Sequence, residues 1–190
     1  MFRRLALSLS ITILVAGGAS ATDLELMVSD KMGELTLVHT QLRDQGQNLR
    51  FGAGVLYNED SDLMGNAFLQ VSNRGQERWQ PLSFGVGGKI YGGELDRPDE
   101  SVAALALGGD IGIGIPAQIP LAVVFTGYIS PNVTTSGDTD RLTELMVRLE
   151  GELTRGAHVF AGYRQFKARS SDFRDVRLDD GVHAGARLNF

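Results

Sequence analysis

The feature that most constrains the fold of this chain is the regular alternation of apolar residues with polar residues or glycine. The last nine residues show it most clearly, because every second one is apolar: Val182, Ala184, Ala186, Leu188 and Phe190. A period of two gives a β-strand one apolar and one polar face. A helical interpretation fails because most of the 24 glycines fall inside the periodic segments rather than beyond their ends. The alternation therefore predicts an all-β protein.

Ten segments with this period follow one another along the chain. We place them at 22–30, 34–42, 48–58, 63–73, 81–92, 102–113, 120–130, 142–153, 157–167 and 180–190. The first, second and fourth are the least regular, and the charged stretch 138–153 is the best rival helix, although it alternates from Glu144 to Leu153. Strands of about 9 to 11 tilted residues cross a bilayer. The pattern predicts an antiparallel transmembrane β-barrel of about ten strands, with eight as the second choice.

The first 21 residues have the composition of a secretory signal peptide. Arg3 and Arg4 precede an apolar run over 5–16, and small residues follow up to Ala21. The run is shorter than the roughly 20 apolar residues of a transmembrane helix. Residues 1–21 are therefore predicted to be removed on export, which leaves 22–190 as one barrel domain in a bacterial outer membrane.

Charge and cysteine content exclude several classes of function. Beyond the leader the chain has 16 basic and 23 acidic residues, so it lacks the excess of positive charge with which proteins bind nucleic acids. Cysteine is absent, which excludes thiolate catalysis and cysteine-ligated metals. No segment beyond the leader approaches 18 consecutive apolar residues, so we expect no helical membrane span.

Alternation alone does not separate a membrane barrel from a soluble periplasmic β-sheet protein. A soluble sandwich hides its apolar face inside, whereas a membrane barrel turns that face toward lipid. The polar face of these segments is rich in glycine and in charges of both signs, as a narrow lumen requires. The segments also exceed the length of about 5 to 6 residues that is most common for strands, and the last one ends on Phe190. These features favour the barrel.

The connections between segments differ in length. Those at 93–101, 131–141 and 168–179 are long and polar, and those at 114–119 and 154–156 are shorter. With ten strands and a periplasmic N-terminus, the long set lies outside the cell and the short set in the periplasm, as is usual for such barrels. Tyr57, Tyr128 and Tyr163 are candidates for the aromatic girdles at the two membrane interfaces.

The polar faces of the last three segments predict a network of charges inside the lumen. If 154–156 is a tight turn, Glu152 lies near His158, and Glu144 lies diagonally near Arg164. The predicted network comprises Glu144, Arg148, Glu150, Glu152, His158, Arg164, His183 and Arg187. Such a network either selects ions or simply fills a narrow lumen, and we favour filling, because a ten-stranded barrel leaves space for only a thin water path.

No catalytic, cofactor or metal site is predicted. The three histidines, His39, His158 and His183, lie in no recognisable nucleophile motif and have no zinc-ligand spacing, so we interpret them as lumen or rim residues. Four aspartates are expected to be solvated carboxylates of an outer loop: Asp172, Asp175, Asp179 and Asp180. The glycine-rich stretch 108–114 is not followed by a helix and is no dinucleotide loop.

The chain resembles the YfaZ family of bacterial outer-membrane proteins over essentially all of its length beyond the leader. The blocks that carry the resemblance are FGAGVLYN at 51–58, FGVGGKIY at 84–91, ALALGG at 104–109, YISP at 128–131, FAGYR at 160–164 and LDDGVH at 178–183. The resemblance implies a small exported outer-membrane barrel and supplies no catalytic residues. It also implies that Phe190 is an assembly signal read by the barrel-assembly machinery.

Together these observations predict a monomer with a structural or porin-like role, passive toward small solutes and in contact with outer-membrane lipids and lipopolysaccharide. Two alternatives stay open. One is an outer-membrane enzyme that acts on lipid or peptide with His158 or His183 as its base. The other is a soluble periplasmic β-sheet binding protein.

Overall fold

The computed structural model describes residues 20–42, 47–59, 63–74, 81–95, 100–137, 139–170 and 175–190. The predicted signal peptide, residues 1–21, lies outside these ranges except for its last two residues. The strands are β1 Ser20–Ser29, β2 Met32–Leu42, β3 Gln47–Asn58, β4 Leu63–Arg74, β5 Leu82–Leu95, β6 Glu100–Ile115, β7 Leu121–Ser130, β8 Thr135–Gly137, β9 Thr139–Thr154, β10 Ala157–Ser170 and β11 Asp175–Asn189. No helix within the described ranges is long and apolar enough to span a membrane.

Ten of these strands form a closed antiparallel barrel. Each strand from β1 to β7 pairs with the next, β7 pairs with β9, and β9, β10 and β11 continue the ladder. The barrel closes where β1 pairs with β11, from Asp23 opposite Asn189 to Ser29 opposite His183. The predicted all-β barrel of ten strands is confirmed, and the second choice of eight is wrong.

The short strand β8 was not predicted. It follows a 3₁₀ turn, Asn132–Thr134, and pairs with β6 from Ala104 to Val102, beyond the point where β7 ends. The predicted long connection 131–141 therefore contains a strand that extends the ladder beside β6. Its three residues are too few to show a period of two in the sequence.

The strands also extend beyond the predicted segments at the end of the barrel opposite the termini. β5 and β6 stay paired as far as Leu95 and Glu100, and β10 stays paired with β11 as far as Arg169 and Asp175. Much of the predicted long connections 93–101 and 168–179 is thus hydrogen-bonded strand. The prediction ended each strand where the apolar alternation stopped, but backbone pairing does not require apolar side chains.

A β-bulge in β11 corrects the interpretation of Asp179 as an outer-loop carboxylate. Phe166 lies opposite Asp179, and Lys167 lies opposite Arg177, so Leu178 is the extra residue between them. As a result both Leu178 and Asp179 point into the barrel and are almost fully buried. Asp180 also lies within β11, as does the backbone of Asp175, whereas Asp172 is outside the described residues.

The barrel has its apolar face outside and its charged face inside. Large apolar side chains on alternate positions of every barrel strand point outward, with exposed fractions from 40% to 71%. The buried polar and charged side chains point inward, among them Glu34, Glu144, Arg148, Arg164 and Arg187. This distribution is the reverse of that in a soluble β-sandwich, and it is what a barrel surrounded by lipid requires.

Glycine allows neighbouring strands to approach closely at several points of the wall. A Cβ atom on Gly108 would overlap the carbonyl oxygen of Gly127, and one on Gly162 would overlap the carbonyl oxygen of Val147. Closing ten strands into a narrow barrel requires such local bends. This requirement explains why glycines interrupt the strands without ending them.

The lumen as candidate functional site

An apolar layer crosses the lumen near the end opposite the termini. This layer, here called the apolar cap, consists of the inward side chains Met32, Leu56, Met64, Tyr91, Ala104, Ala106, Tyr128, Leu142, Phe166, Ala168 and Leu178. None of them exposes more than 6% of its surface. Such low exposure indicates that these side chains pack against one another and obstruct the lumen at this level.

Directly beside the cap lies a buried ion cluster centred on Arg164 of β10. Its Nη1 atom is 2.7 Å from Oε2 of Glu34 on β2, and its Nη2 atom is 2.5 Å from Oε1 of Glu144 on β9. Lys89 of β5 places its Nζ atom 2.9 Å from the other oxygen of Glu144, to which the Tyr91 hydroxyl also donates a hydrogen bond. This upper cluster, Arg164, Lys89, Glu34 and Glu144, ties four strands together across the lumen.

A second cluster lies nearer the termini and joins β1, β9 and β11. Arg148 is 2.7 Å from Glu25 and 2.6 Å from Glu150, measured between guanidinium nitrogens and carboxylate oxygens. Arg187 contacts the same two carboxylates at 2.9 and 3.1 Å. The guanidinium of Arg148 also lies 4.7 Å from the centre of the Phe160 ring, within the range of a cation–π interaction. This lower cluster therefore holds two cations and two carboxylates.

A third, smaller group lies on the facing wall. Arg50 of β3 donates a hydrogen bond of 3.1 Å to Oε1 of Gln70 and lies 3.6 Å from Asp110 of β6. Gln70 in turn donates a hydrogen bond to Asp110. A cavity of about 140 Å³ runs between this group and the two clusters, and both polar and apolar side chains line it. Each of the three groups has equal numbers of positive and negative side chains, so the lumen presents no large field of one sign.

The eight residues predicted for the lumen network occupy four places. Glu144 and Arg164 belong to the upper cluster, and Arg148, Glu150 and Arg187 to the lower one. His183 is buried on the inner face of β11, with its ring 6.0 Å from Phe160. Glu152 and His158 face one another across the β9–β10 ladder at the end near the termini, outside both clusters.

The sequence interpretation missed five charged partners in these groups: Glu25, Glu34, Lys89, Arg50 and Asp110. Arg50 and Lys89 lie on the polar faces of regular segments, so the alternation places them inside without indicating their partners. Glu25 could have been found because it alternates with Leu24 and Leu26 in β1. Glu34 had no comparable signal, since it belongs to one of the least regular segments.

The geometry around His183 does not favour the enzyme hypothesis. Neither ring nitrogen has a hydrogen-bond partner among the described protein atoms. Ser29, which lies opposite His183 in the ladder, donates a hydrogen bond of 3.0 Å directly to Asp179. No nucleophile–base pair therefore runs through this histidine. Among the described residues, no three His, Asp or Glu side chains are grouped as a metal site would need.

The three tyrosines predicted for the aromatic girdles do not all point toward the outside of the barrel. Tyr57 and Tyr163 point outward and are exposed, as girdle residues would be. The girdle prediction for Tyr128 is wrong, because this side chain belongs to the inward apolar cap. His39 lies on the outer face, where its Nδ1 atom is 3.1 Å from the Thr22 hydroxyl.

The C-terminal residue Phe190 extends the seam of the barrel. It exchanges two backbone hydrogen bonds with Thr22, of 3.0 and 3.2 Å, while its ring is 72% exposed. The ring therefore contributes little packing to the barrel itself, and its role as an assembly signal stays a prediction.

Comparisons with known proteins complete these observations. Among solved structures, a KdgM porin is similar in outline at 10% sequence identity, over 90% of this chain and 99% of the porin chain, with a TM-score of 0.43. A comparison with curated proteins found no significant match. The family model described as YfaZ precursor matches residues 2–190. The chain therefore belongs to the YfaZ family.

Proposed function

We propose that this protein is a monomeric, non-enzymatic β-barrel of the bacterial outer membrane with a passive, structural or porin-like role. The observation that carries the proposal is the inverted distribution of side chains, with an apolar outer wall and a charged lumen in one closed barrel. A continuous apolar outer surface of this extent is unfavourable in water and favourable in lipid. An exported barrel with such a surface has the bacterial outer membrane as its expected location.

The side chains of the lumen support a passive role in which the lumen is closed at rest. The apolar cap blocks passage toward one end, and the ion clusters hold the facing walls together beneath it. Paired charges of balanced sign neither attract ions of one sign nor provide a free base. Conduction would therefore require the cap to rearrange, and small solutes alone would fit the cavity of about 140 Å³.

Membrane fractionation and heat-modifiable gel migration test the barrel and its location. We expect the protein in the outer-membrane fraction, and we expect an unheated sample to migrate differently from a boiled one because a closed barrel resists detergent unfolding. Recovery in the soluble periplasmic fraction, or identical migration before and after boiling, would refute the proposal.

Planar-bilayer recordings test the closed lumen. The unaltered protein should give no steady current, whereas the double variant Leu142→Ala, Phe166→Ala, which removes two fully buried cap side chains, should conduct small ions. The matched control is Leu145→Ala, Leu149→Ala, which truncates two outward side chains of β9 and should stay silent. A steady current from the unaltered protein would refute the closed resting state, and silence of the cap variant would exclude a porin-like role for this lumen.

A further inference from the structure

One polar atom of the lumen, beside the upper cluster, is buried without a partner. Asn66 of β4 donates a hydrogen bond of 3.0 Å from its Nδ2 atom to Glu34, which fixes the orientation of the amide. Its Oδ1 atom accepts no hydrogen bond from the described protein atoms, although only 6% of the residue is exposed. A buried carbonyl oxygen without a donor is unfavourable. Asn66 lines the cavity of about 140 Å³, so a ligand in that cavity can supply the missing donor.

Lys89 of β5 lies between Asn66 and Tyr128 of β7. Its Nζ atom is 5.0 Å from the centre of the Tyr91 ring and 5.8 Å from the centre of the Tyr128 ring. Tyr91 is directly opposite Asn66 in the ladder of β4 and β5. The ammonium group of Lys89 contacts Glu144 at 2.9 Å, and an ammonium group can donate more hydrogen bonds than this one.

Thr126 adds a second hydroxyl group to that of Tyr128. The two residues occupy successive inward positions of β7, about 7 Å apart along the strand. Both line the same cavity as Asn66 and Lys89. We call these four residues the polar pocket. It combines a carbonyl acceptor, a cationic donor and two hydroxyl groups, which both donate and accept hydrogen bonds.

The ion pairs around the polar pocket favour a neutral ligand. An anion would have to take Lys89 from Glu144 and leave that carboxylate without one of its cations. A zwitterion would have to lose the hydration of two full charges on entry. A hydroxyl group avoids both costs, because it donates to the Oδ1 atom of Asn66 and accepts from Lys89 without carrying charge.

The size of the cavity limits the ligand to a small molecule. A cavity of roughly 150 Å³ holds a molecule as large as benzene, and glycerol has as many non-hydrogen atoms as benzene. We propose that the polar pocket binds a small neutral polyol of about this size. The inference names the class of solute for the passive barrel proposed above, and it rests on that function. The cavity extends from the pocket to Arg187 of the lower cluster, away from the apolar cap, so the polyol enters from the end that carries the termini.

Methionine methyl groups report on this binding from inside the lumen. Met27 and Met146 line the cavity, whereas Met32 and Met64 belong to the apolar cap. The purified full barrel, labelled with [¹³C-methyl]methionine in a detergent without hydroxyl groups, is titrated with glycerol and followed by nuclear magnetic resonance. We expect saturable shifts of the Met27 and Met146 signals and smaller shifts of the two cap signals.

The double variant Thr126→Val, Tyr128→Phe removes both hydroxyl groups of the polar pocket and keeps the shape and charge of the lumen. It should weaken glycerol binding roughly tenfold, because two hydrogen bonds to the ligand are lost. Ser72→Ala is the matched control. It removes another buried hydroxyl group without a partner, about 20 Å from Asn66 along β4, and should bind glycerol like the unaltered protein.

Charged ligands of equal size test the preference for a neutral one. Lactate and alanine have as many non-hydrogen atoms as glycerol, but lactate is an anion and alanine a zwitterion. Each should bind the unaltered protein at least roughly tenfold more weakly than glycerol, because each must lose the hydration of its charges. This comparison needs no substitution, so it decides the matter even if the double variant fails to fold.

The outcomes separate this inference from the proposed function. Shifts that grow with glycerol without saturating, equal affinity for lactate or alanine, or unchanged binding by a folded double variant would overturn the polyol site. Heat-modifiable migration is measured on every variant. If the unaltered protein lacks it, the proposed outer-membrane barrel is refuted, whereas a heat-modifiable barrel without saturable glycerol binding refutes the polyol site alone.

Discussion

Replacing Arg164 with methionine should destabilise the barrel more than any change to a surface charge. Arg164 is fully buried and lies between two carboxylates, 2.7 Å from Glu34 and 2.5 Å from Glu144. Methionine approximates the length of the arginine stem but carries no charge. The substitution therefore leaves both carboxylates in place inside the lumen without their shared cation.

The size of the loss follows from what each carboxylate retains. Glu144 keeps Lys89 at 2.9 Å and the Tyr91 hydroxyl. Glu34 keeps neutral donors only, the Asn66 amide at 3.0 Å and the Thr36 hydroxyl at 3.3 Å. Removing one partner of a buried ion pair costs about 3 to 5 kcal/mol. We expect the loss in free energy of unfolding to lie in this range, and Glu34 to account for most of it.

Equilibrium urea unfolding of the barrel in detergent micelles, followed by far-ultraviolet circular dichroism, measures this loss. Lys31→Gln is the control, because Lys31 and Glu59 form an ion pair at 3.3 Å with more than half of each side chain exposed. That change should cost less than about 1 kcal/mol. Adding Glu34→Gln to the Arg164→Met variant removes the stranded charge, leaves the Lys89–Glu144 pair in place and should restore most of the stability.

Two results would refute this reasoning about Arg164. A loss below about 1 kcal/mol for Arg164→Met would mean that water or structural rearrangement solvates the carboxylates, so that the site does not behave as a buried one. Failure of the Arg164→Met, Glu34→Gln variant to recover would mean that packing of the arginine stem, rather than its charge, stabilises the barrel.

Three further predictions concern the wall, the C-terminus and the histidines. Gly108→Ala should abolish most of the heat-modifiable species, because a Cβ there would overlap a carbonyl oxygen of the neighbouring strand. Gly92→Ala is the control, and it should change the free energy of unfolding by less than about 0.5 kcal/mol. Phe190→Ala keeps the backbone hydrogen bonds to β1, so the purified protein should refold normally. Because Phe190 is the predicted assembly signal, the same variant should assemble less well in cells, and equal assembly would contradict the signal role. Replacing both His158 and His183 with alanine should leave lipid A and phospholipid profiles unchanged, and an altered profile would revive the enzyme hypothesis.

The strands were predictable from the sequence because an apolar outer wall around a polar lumen imposes the same alternation on nearly every one of them. The observed β3 and β9 contain the predicted segments 48–58 and 142–153 with only small extensions. The ladder between β9 and β10 was also accessible, since a tight turn at 154–156 sets the register that brings Glu144 toward Arg164. Local spacing was sufficient for contacts between neighbouring strands.

Contacts across the lumen were not predictable in the same way. Glu34 of β2 meets Arg164 of β10, although two strands separate them in the ladder. Which side chains meet across a barrel depends on strand tilt and stagger, and these are properties of the closed sheet rather than of any one segment. The bulge at Leu178 was hidden for a related reason, because one extra residue reverses the inward and outward positions that alternation assigns.

The balance of charges inside the barrel determines how the lumen would receive a free anion. Each of the five described inward cations in the three groups has a carboxylate within 4 Å: Lys89, Arg50, Arg148, Arg164 and Arg187. An anion that entered the lumen would have to displace one of these carboxylates and leave it buried without its partner, at a cost of several kcal/mol. The same buried ion pairs that hold the barrel walls together therefore make the lumen a poor site for a free anion.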